Sequence, residues 1–134
     1  MSEQDQYMGN GQRPGGQVLA VDDDEMSLRL ICCLLEHMGF SVFAARDGEM
    51  ALATLRDTAK SVDLVLLNVG MPRMNGYEVC QAIRSDPLLA RLPVIFVTAR
   101  EITPALAETV GANGVLLKPY SISALQKKIA HYMN

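Results

Sequence analysis

The segment DLVLLNVGMPRMNG, residues 63–76, opens with the apolar run 64–67 and continues into a loop that contains Pro72 and ends at Asn75 and Gly76. A short apolar run bounded by turn-forming residues is typical of a strand that is buried on both faces of a sheet. Short runs of the same kind recur along the chain. Together they predict strands at residues 18–21, 41–45, 64–67, 94–97 and 115–117.

Amphipathic stretches lie between the predicted strands. Leu28, Ile31 and Leu35 recur at helical spacing after the first strand, and residues 104–110 form a short helical pattern after the fourth. Five strands that alternate with five helices predict a doubly wound α/β domain of the flavodoxin-like type. We expect a parallel sheet of strand order 2-1-3-4-5, with two helices on one face and three on the other.

Residues 1–17 differ in composition from the rest of the chain. They contain four Gly, four Gln and one Pro, with few large apolar side chains. Such a segment buries too little surface to offset its loss of conformational entropy. We therefore predict a flexible tail at 1–17 and a single folded domain at 18–134.

Composition and charge disfavour several classes of protein. The chain has 12 Lys and Arg against 15 Asp and Glu, and this net charge of −3 is unlike a nucleic-acid-binding arm or a basic membrane-surface helix. No apolar run approaches the roughly 20 residues of a membrane span. The three Cys form no zinc-binding pattern, and the N-terminus lacks the basic start and apolar block of a secretion signal. We expect a cytoplasmic protein without nucleic-acid or membrane partners.

Polar side chains stand at the ends of four predicted strands. In a doubly wound sheet, ligands bind outside the carboxyl ends of the strands, near the point where the strand order reverses. Adjacent carboxylates suit Mg²⁺, and a hydroxyl and an ammonium group suit an anion beside it. Taken singly, each residue also fits a solvated loop or a helix cap. Their convergence predicts a site for Mg²⁺ and a phosphoryl group that comprises Asp22, Asp23, Asp24, Asn68, Thr98 and Lys118.

At these residues the sequence resembles the receiver domains of two-component response regulators, with a likeness to the chemotaxis response regulators. The resemblance covers residues 18–134, and its motifs occur in the family's order at matching spacing, which makes it specific. The matching segments are VDDD at 21–24, DLVLLNVGMPRMNG at 63–76, PVIFVTA at 93–99 and GANGVLLKP at 111–119.

The resemblance implies a metal site. A receiver domain takes a phosphoryl group from a histidine kinase or a phosphotransfer protein onto one aspartate, with Mg²⁺ beside it. The implied ligands are Asp23, the side chain at position 68 and the backbone carbonyl of Gly70, with Asp22 acting through water.

The resemblance also implies phosphoryl contacts and a switch position. Thr98 is implied to hydrogen-bond the phosphoryl group, and Lys118 to pair with it. Many receivers carry an aromatic residue three positions before the lysine, and it swings inward when the threonine engages the phosphoryl group. Here that position holds Val115, a β-branched residue with few rotamers and no hydroxyl, although valine is also an ordinary strand residue. We expect the usual switching route to be weakened.

Asn68 stands where the family has its phosphoacceptor aspartate. The acceptor must be a nucleophilic carboxylate because the product is an acyl phosphate, and an amide cannot form one. The amide oxygen can still accept a metal bond, but the site loses a negative charge. We therefore expect no phosphorylation, and Mg²⁺ binding that is weakened or absent. A natural pseudo-receiver that works by protein contact and an engineered Asp-to-Asn change both remain open.

Two other classes of function remain open on the sequence. Asp22 and Asp24 form an Asp-x-Asp after a strand, as in haloacid-dehalogenase-like phosphatases, but Glu25 and Met26 follow where that motif continues with Gly and Thr. The chain also has no room for the usual cap insertion. A flavin site needs a Gly-, Ser- or Thr-rich phosphate loop, whereas the acidic loop here repels phosphate. The receiver interpretation, which is not an enzyme, is favoured over both.

Protein partners are expected to carry the signal. The candidates are a histidine kinase, a phosphotransfer protein or a downstream effector. In the family, the face formed by the fourth helix, the fifth strand and the fifth helix often binds the protein partner. In this chain that face corresponds to about residues 103–131. Lys127 and Lys128, with the acidic Glu101 and Glu108, could form complementary pairs across a two-fold homodimer, and simple solvation explains the same charges equally well.

Overall fold

The computed structural model describes residues 16–57 and 60–133. Its centre is a sheet of parallel strands in the order β2-β1-β3-β4-β5. The strands are β1 (Gln17–Val21), β2 (Ser41–Ala45), β3 (Leu64–Leu67), β4 (Val94–Thr98) and β5 (Gly114–Leu117). The predicted strand order and parallel pairing are confirmed.

Helices cover both faces of this sheet. Within the described ranges they are α1 (Glu25–His37), α2 (Gly48–Arg56), α3 (Gly76–Ser85), α4 (Pro104–Thr109) and α5 (Ile122–Tyr132). Buried residues of α2, α3 and α4 pack into one apolar cluster, and those of α1 and α5 pack into the other. The predicted division into three and two helices is therefore confirmed. None of the helices in these ranges is both long and apolar enough to cross a membrane.

Four boundaries differ from the sequence prediction, and one of them is the start of β5, which lies at Gly114 rather than at Val115. Gln17, which the composition assigned to the tail, is the first residue of β1, because its N–H donates to Asp63 Oδ2 at 2.9 Å and it pairs with Ser41 across the sheet. Thr98 is the last residue of β4 rather than the first of a loop, and α4 ends one residue before position 110. Gly16 was also assigned to the tail, and its carbonyl accepts from the Ser41 N–H at 2.9 Å. Residues 1–15 of the predicted tail lie outside the described residues.

The three central strands carry the core. All residues of β3 and β4 are buried, and so are the last four of β1, as expected for strands covered by helices on both sides. Burying one such Leu, Ile or Phe side chain contributes about 1.5–3 kcal/mol to folding. The polar residues that follow these strands are therefore attached to backbone that is buried on both faces of the sheet.

Each of these helices begins at a side-chain cap. The capping side chain accepts a hydrogen bond from the backbone N–H three residues further along, which satisfies a donor that the helix leaves free. At Asn75 the arrangement is reciprocal, because the Glu78 side chain also accepts from the Asn75 N–H at 3.0 Å. The caps are Asp24, Asp47, Asn75, Thr103 and Ser121.

Gly76 brings the start of α3 against the loop that follows β3. A Cβ atom placed on Gly76 would lie 2.4 Å from the Asn68 carbonyl oxygen and 2.8 Å from Val69 Cα. The Gly76 N–H also donates to the Val69 carbonyl at 2.8 Å. Both obstacles are backbone atoms, so they cannot move aside as a side chain can. Only glycine permits this approach, which fixes the backbone that carries Asn68.

We predict that Gly76→Ala lowers the free energy of unfolding by about 2–3 kcal/mol, the upper part of the range for overpacking, because backbone must shift to admit the methyl group. Gly70→Ala in the same loop is the matched control. Its new Cβ would meet only the Arg100 side chain, at 3.5 Å. Urea unfolding of both variants measures the difference, and equal stabilities would contradict the close-approach argument.

Candidate functional site

The site lies where the strand order reverses, between β1 and β3. The connection after β1 leads to α1 on one face and the connection after β3 leads to α3 on the other, which opens a crevice between the strand ends. The Asn68 N–H donates to the Val21 carbonyl at 2.9 Å and holds the two ends together. The crevice has a volume of about 340 Å³ and is lined by Asp22, Asp23, Asp24, Asn68, Gly70, Thr98, Ala99, Arg100 and Lys118.

Asp22 is the buried carboxylate of the site, with 5% of its surface exposed. Its Oδ2 accepts from Lys118 Nζ at 2.5 Å, and its Oδ1 accepts from the Asp24 N–H at 3.0 Å. Its own N–H donates to the Ala45 carbonyl at 3.1 Å. A charge this deeply buried needs such partners, because desolvation is costly for an unpaired carboxylate.

The side-chain amide of Asn68 lies among oxygen atoms. Its Nδ2 is 3.3 Å from Asp22 Oδ1, 3.2 Å from Asp23 Oδ1 and 3.5 Å from the Gly70 carbonyl oxygen. Three acceptors therefore converge on one nitrogen atom. The nitrogen end of the amide group therefore faces the acidic residues and donates to them.

Thr98, Arg100 and Lys118 form the opposite side of the crevice. Thr98 is buried at the end of β4, and its Oγ1 accepts from the Arg100 N–H at 3.2 Å. The Lys118 N–H donates to the Thr98 carbonyl at 2.9 Å, which extends the pairing of β4 and β5 by one residue. Arg100 was not named by the sequence analysis. Its position two residues after Thr98 and its positive charge are the signals that point to it.

Two titratable groups near the crevice have shifted pKa values. Hydrogen bonds from the Ser27 side chain and backbone hold the pKa of Asp24 below its usual value, and they identify Asp24 mainly as the cap of α1. Burial raises the pKa of Tyr120, and the nearby Asp22 and Cys32 raise it further. Tyr120 therefore stays a neutral phenol at physiological pH.

Val115 lies away from the crevice. It is on β5 opposite Phe96 of β4, and it packs against the apolar cluster shared by α2, α3 and α4. Phe96 in turn contacts Tyr77 edge-to-face, with ring centroids 5.6 Å apart. The position is a packing position in this structure, and its role as a switch remains a prediction.

The structure thus brings Asp22, Asp23, Asn68, Thr98 and Lys118 into one crevice, with the Gly70 carbonyl beside them. Across residues 16–57 and 60–133, no three His, Cys, Asp or Glu side chains are grouped as a metal site. Any divalent cation here would therefore depend on amide and carbonyl oxygens as well as on the two carboxylates. Such hard oxygen ligands suit Mg²⁺.

Comparison with known proteins decides the family. Residues 18–130 match the family model described as the response regulator receiver domain. The chain belongs to this family. Receiver domains are the signalling modules of two-component systems, and the relatives of this receiver domain include bacterial response regulators. The match favours the receiver interpretation over the phosphatase and flavin alternatives.

Curated relatives and solved structures agree with this assignment. The transcriptional regulatory protein CpxR of Escherichia coli is 41% identical over 115 residues, which cover 84% of this chain and 47% of CpxR. This receiver domain therefore spans about half the length of the curated relatives that it matches. The chemotaxis response regulator CheY4 of Vibrio cholerae is 30% identical, with a TM-score of 0.80 over 88% of this chain and 98% of CheY4.

A third relative was solved with a ligand. The response regulator TrrA of Thermotoga maritima, in complex with Mg(2+)-BeF, is 25% identical, with a TM-score of 0.78. The similarity covers 88% of this receiver domain and 99% of the TrrA chain. The fold of the present chain is thus the one in which that complex was observed.

We predict that Lys118→Met lowers the free energy of unfolding of this receiver domain by about 2 kcal/mol, because it leaves the buried Asp22 charge without its cation. Arg56→Met is the matched control, since it removes a more exposed pair to Asp86 whose atoms are 3.7 Å apart. The control should change stability by about 0.5 kcal/mol or less. Denaturant unfolding compares them, and similar losses for both variants would argue against a structural role for the Lys118–Asp22 pair.

Proposed function

We propose that this receiver domain signals through protein contacts without accepting a phosphoryl group at position 68. The observation that carries the proposal is the amide at the position where the family has its acceptor carboxylate. The nitrogen lone pair of an amide is delocalised into its carbonyl, so Asn68 is a poor nucleophile. Its Nδ2 is also engaged by Asp22 and Asp23.

The rest of the crevice retains the chemistry of phosphoryl transfer. Thr98 and Lys118 stand at the strand ends where a phosphoryl group would lie, and both are held there by backbone contacts between β4 and β5. Cations and hydrogen-bond donors placed around such a group stabilise charge as it moves. The proposal therefore assigns the loss of phosphorylation to one side chain rather than to decay of the whole site.

The proposal also includes a reduced affinity of the site for Mg²⁺. The residues that would hold it are Asp23, the side-chain oxygen of Asn68 and the Gly70 carbonyl, with Asp22 acting through water. When bound in a receiver of this kind, Mg²⁺ offsets negative charge on the transferring phosphoryl group. A site with one carboxylate fewer attracts the cation less strongly.

We predict that the chain stays unmodified at position 68 when it is incubated with Mg²⁺ and acetyl phosphate or a phosphorylated histidine donor. Asn68→Asp restores the nucleophile, and it should yield an acid-stable, base-labile adduct of one phosphoryl group. Intact mass spectrometry measures both. Asn75→Asp is the matched control, because it makes the same chemical change at the other end of the loop, where an Asp still caps α3.

Each outcome of this experiment has a distinct meaning. A phosphoryl adduct on the unaltered chain at position 68 would overturn the proposal. Recovery in Asn68→Asp but not in Asn75→Asp would support it and show that only the carboxylate is missing. Failure of Asn68→Asp with every donor would show a wider loss of the site, and a pure scaffold role would replace the idea of a retained pocket.

The partners proposed for this domain are proteins: a histidine kinase, a phosphotransfer protein or an effector, and a second copy of the chain. The segment 103–131 supports the last of these, since it carries the exposed apolar side chains of Leu106 and Leu117 and also carries Lys127 and Lys128. Nucleic acid is not among the proposed partners, because the whole chain of 134 residues has a net charge of −3. The relative CpxR is a transcriptional regulatory protein about twice as long as the segment that matches this chain.

We predict a two-fold dimer through the face of residues 103–131 at high protein concentration. Replacing Lys127 and Lys128 by Glu should weaken the association, because like charges would then face Glu101 and Glu108 of the other copy. Sedimentation velocity over a concentration series measures the change. A monomer at every concentration would remove the dimer from the proposal and leave a kinase, phosphotransfer protein or effector as the partner.

A further inference from the structure

We propose that the Asn68 amide group takes the place of the divalent cation in this receiver domain, so that its acidic site is closed by the chain's own donors. The inference deepens the proposed function, on which it rests for the identity of the site. It concerns how the site is held, whereas the proposed function concerns whether position 68 reacts.

The first support is the convergence of three oxygen atoms on the amide nitrogen. Asp22 Oδ1, Asp23 Oδ1 and the Gly70 carbonyl oxygen lie between 3.2 and 3.5 Å from Asn68 Nδ2. They are acceptors only, and they come from the loops after β1 and β3. Such a set of oxygens surrounds either a hard cation or a hydrogen-bond donor. In this structure the donor is already part of the chain.

The second support is the chemistry of the amide. Nitrogen carries both hydrogen atoms of the group, so the orientation observed is the one that satisfies the neighbouring acceptors. A cation at this place would need the amide oxygen to face it. Bound Mg²⁺ and the present orientation of Asn68 therefore exclude each other. Binding would require the amide to turn over and to lose its bonds to Asp22 and Asp23.

The third support is the balance of donors around the acidic residues. Asp22 Oδ2 is bound by the Lys118 ammonium, while Asp22 Oδ1 accepts from the Asp24 N–H and from Asn68. Asp23 is bound by Asn68. Repulsion between adjacent carboxylates is thus offset by donors from the loops after β3 and β5. The site is consequently set in one arrangement whether or not Mg²⁺ is in solution.

Occupation by the amide and simple loss of charge make different predictions for Asn68→Ala. Both chains have the same charge, but alanine removes the Nδ2 donor and opens the space that it fills. If only charge mattered, Ala would bind Mg²⁺ no better than Asn, since it has no oxygen ligand. If the amide holds the cation's place, Asn68→Ala should bind Mg²⁺ more tightly, by about tenfold, the size expected for hydrogen bonds to charged groups that no longer have to be broken.

The experiment is a Mg²⁺ titration of the unaltered chain, Asn68→Ala and Asn68→Leu, followed by isothermal calorimetry. Leucine matches asparagine in size without its donor, so it keeps the space filled. We expect tighter binding in Asn68→Ala than in Asn68→Leu or the unaltered chain. Equal or weaker binding by Asn68→Ala would overturn the inference.

A second measurement uses the unaltered chain and does not depend on a variant that folds. The Asn68 side-chain amide resonances in a ¹H–¹⁵N spectrum should not change between chelator and millimolar Mg²⁺, and neither should the thermal unfolding temperature. Asn68→Asp, which replaces the donor by a third carboxylate, should instead gain several degrees on addition of Mg²⁺. Amide resonances of the unaltered chain that shift with millimolar Mg²⁺ would contradict the proposal.

These outcomes are separable from those of the phosphorylation experiment. Tight binding of Mg²⁺ by the unaltered chain would overturn the inference that the Asn68 amide takes the place of the cation. It would not change the conclusion that Asn68 is a poor nucleophile. A phosphoryl adduct at Asn68 would overturn the proposed function, and it would leave the Mg²⁺ titrations to decide the present inference.

Discussion

Repulsion between neighbouring carboxylates at a partly buried strand end is the constraint on which the rest of this structure depends. Asp22 follows a strand that is buried on both faces and keeps only 5% of its surface exposed, so its charge cannot simply be solvated, whereas the neighbouring Asp23 is exposed. The donor to Asp22 comes from Lys118, 96 residues further along the chain, and it reaches Asp22 only if β5 lies at its place in the sheet. The fold and the charge balance of the site therefore require each other.

Asn68 has two properties that are usually separated in such a site. As a neutral side chain it removes one negative charge, and as a donor it satisfies oxygen atoms that a carboxylate would repel. Replacing one carboxylate oxygen by an NH2 group thus adds a hydrogen-bond donor at a position where a carboxylate could only accept. In the proposed function, the domain therefore signals through contacts of its surface rather than through phosphorylation at position 68.

The sequence was sufficient to predict the sheet order and the polar residues of the crevice except Arg100, because buried strands and the polar groups at their ends are visible in short-range sequence patterns. The sequence pattern did not predict that Gln17 belongs to β1, because a polar residue in a glycine-rich segment is typical of a flexible tail. Its pairing with Ser41 and its hydrogen bond to Asp63 make it a strand residue. The sequence also did not predict the orientation of the Asn68 side-chain amide. It depends on the positions of three acceptors in the two loops after β1 and β3, which no local sequence pattern encodes.

Gly76 has a consequence for how this site changes over evolutionary time. Its close approach to the Asn68 and Val69 backbone fixes the loop after β3 independently of the side chain at position 68. Codons for Asn and Asp differ by a single base, so a lineage can lose or regain the carboxylate in one mutational step without rebuilding the loop. Selection on phosphorylation can therefore act at position 68 separately from selection on the fold. The same fold can then change between signalling by phosphorylation and signalling by protein contact alone.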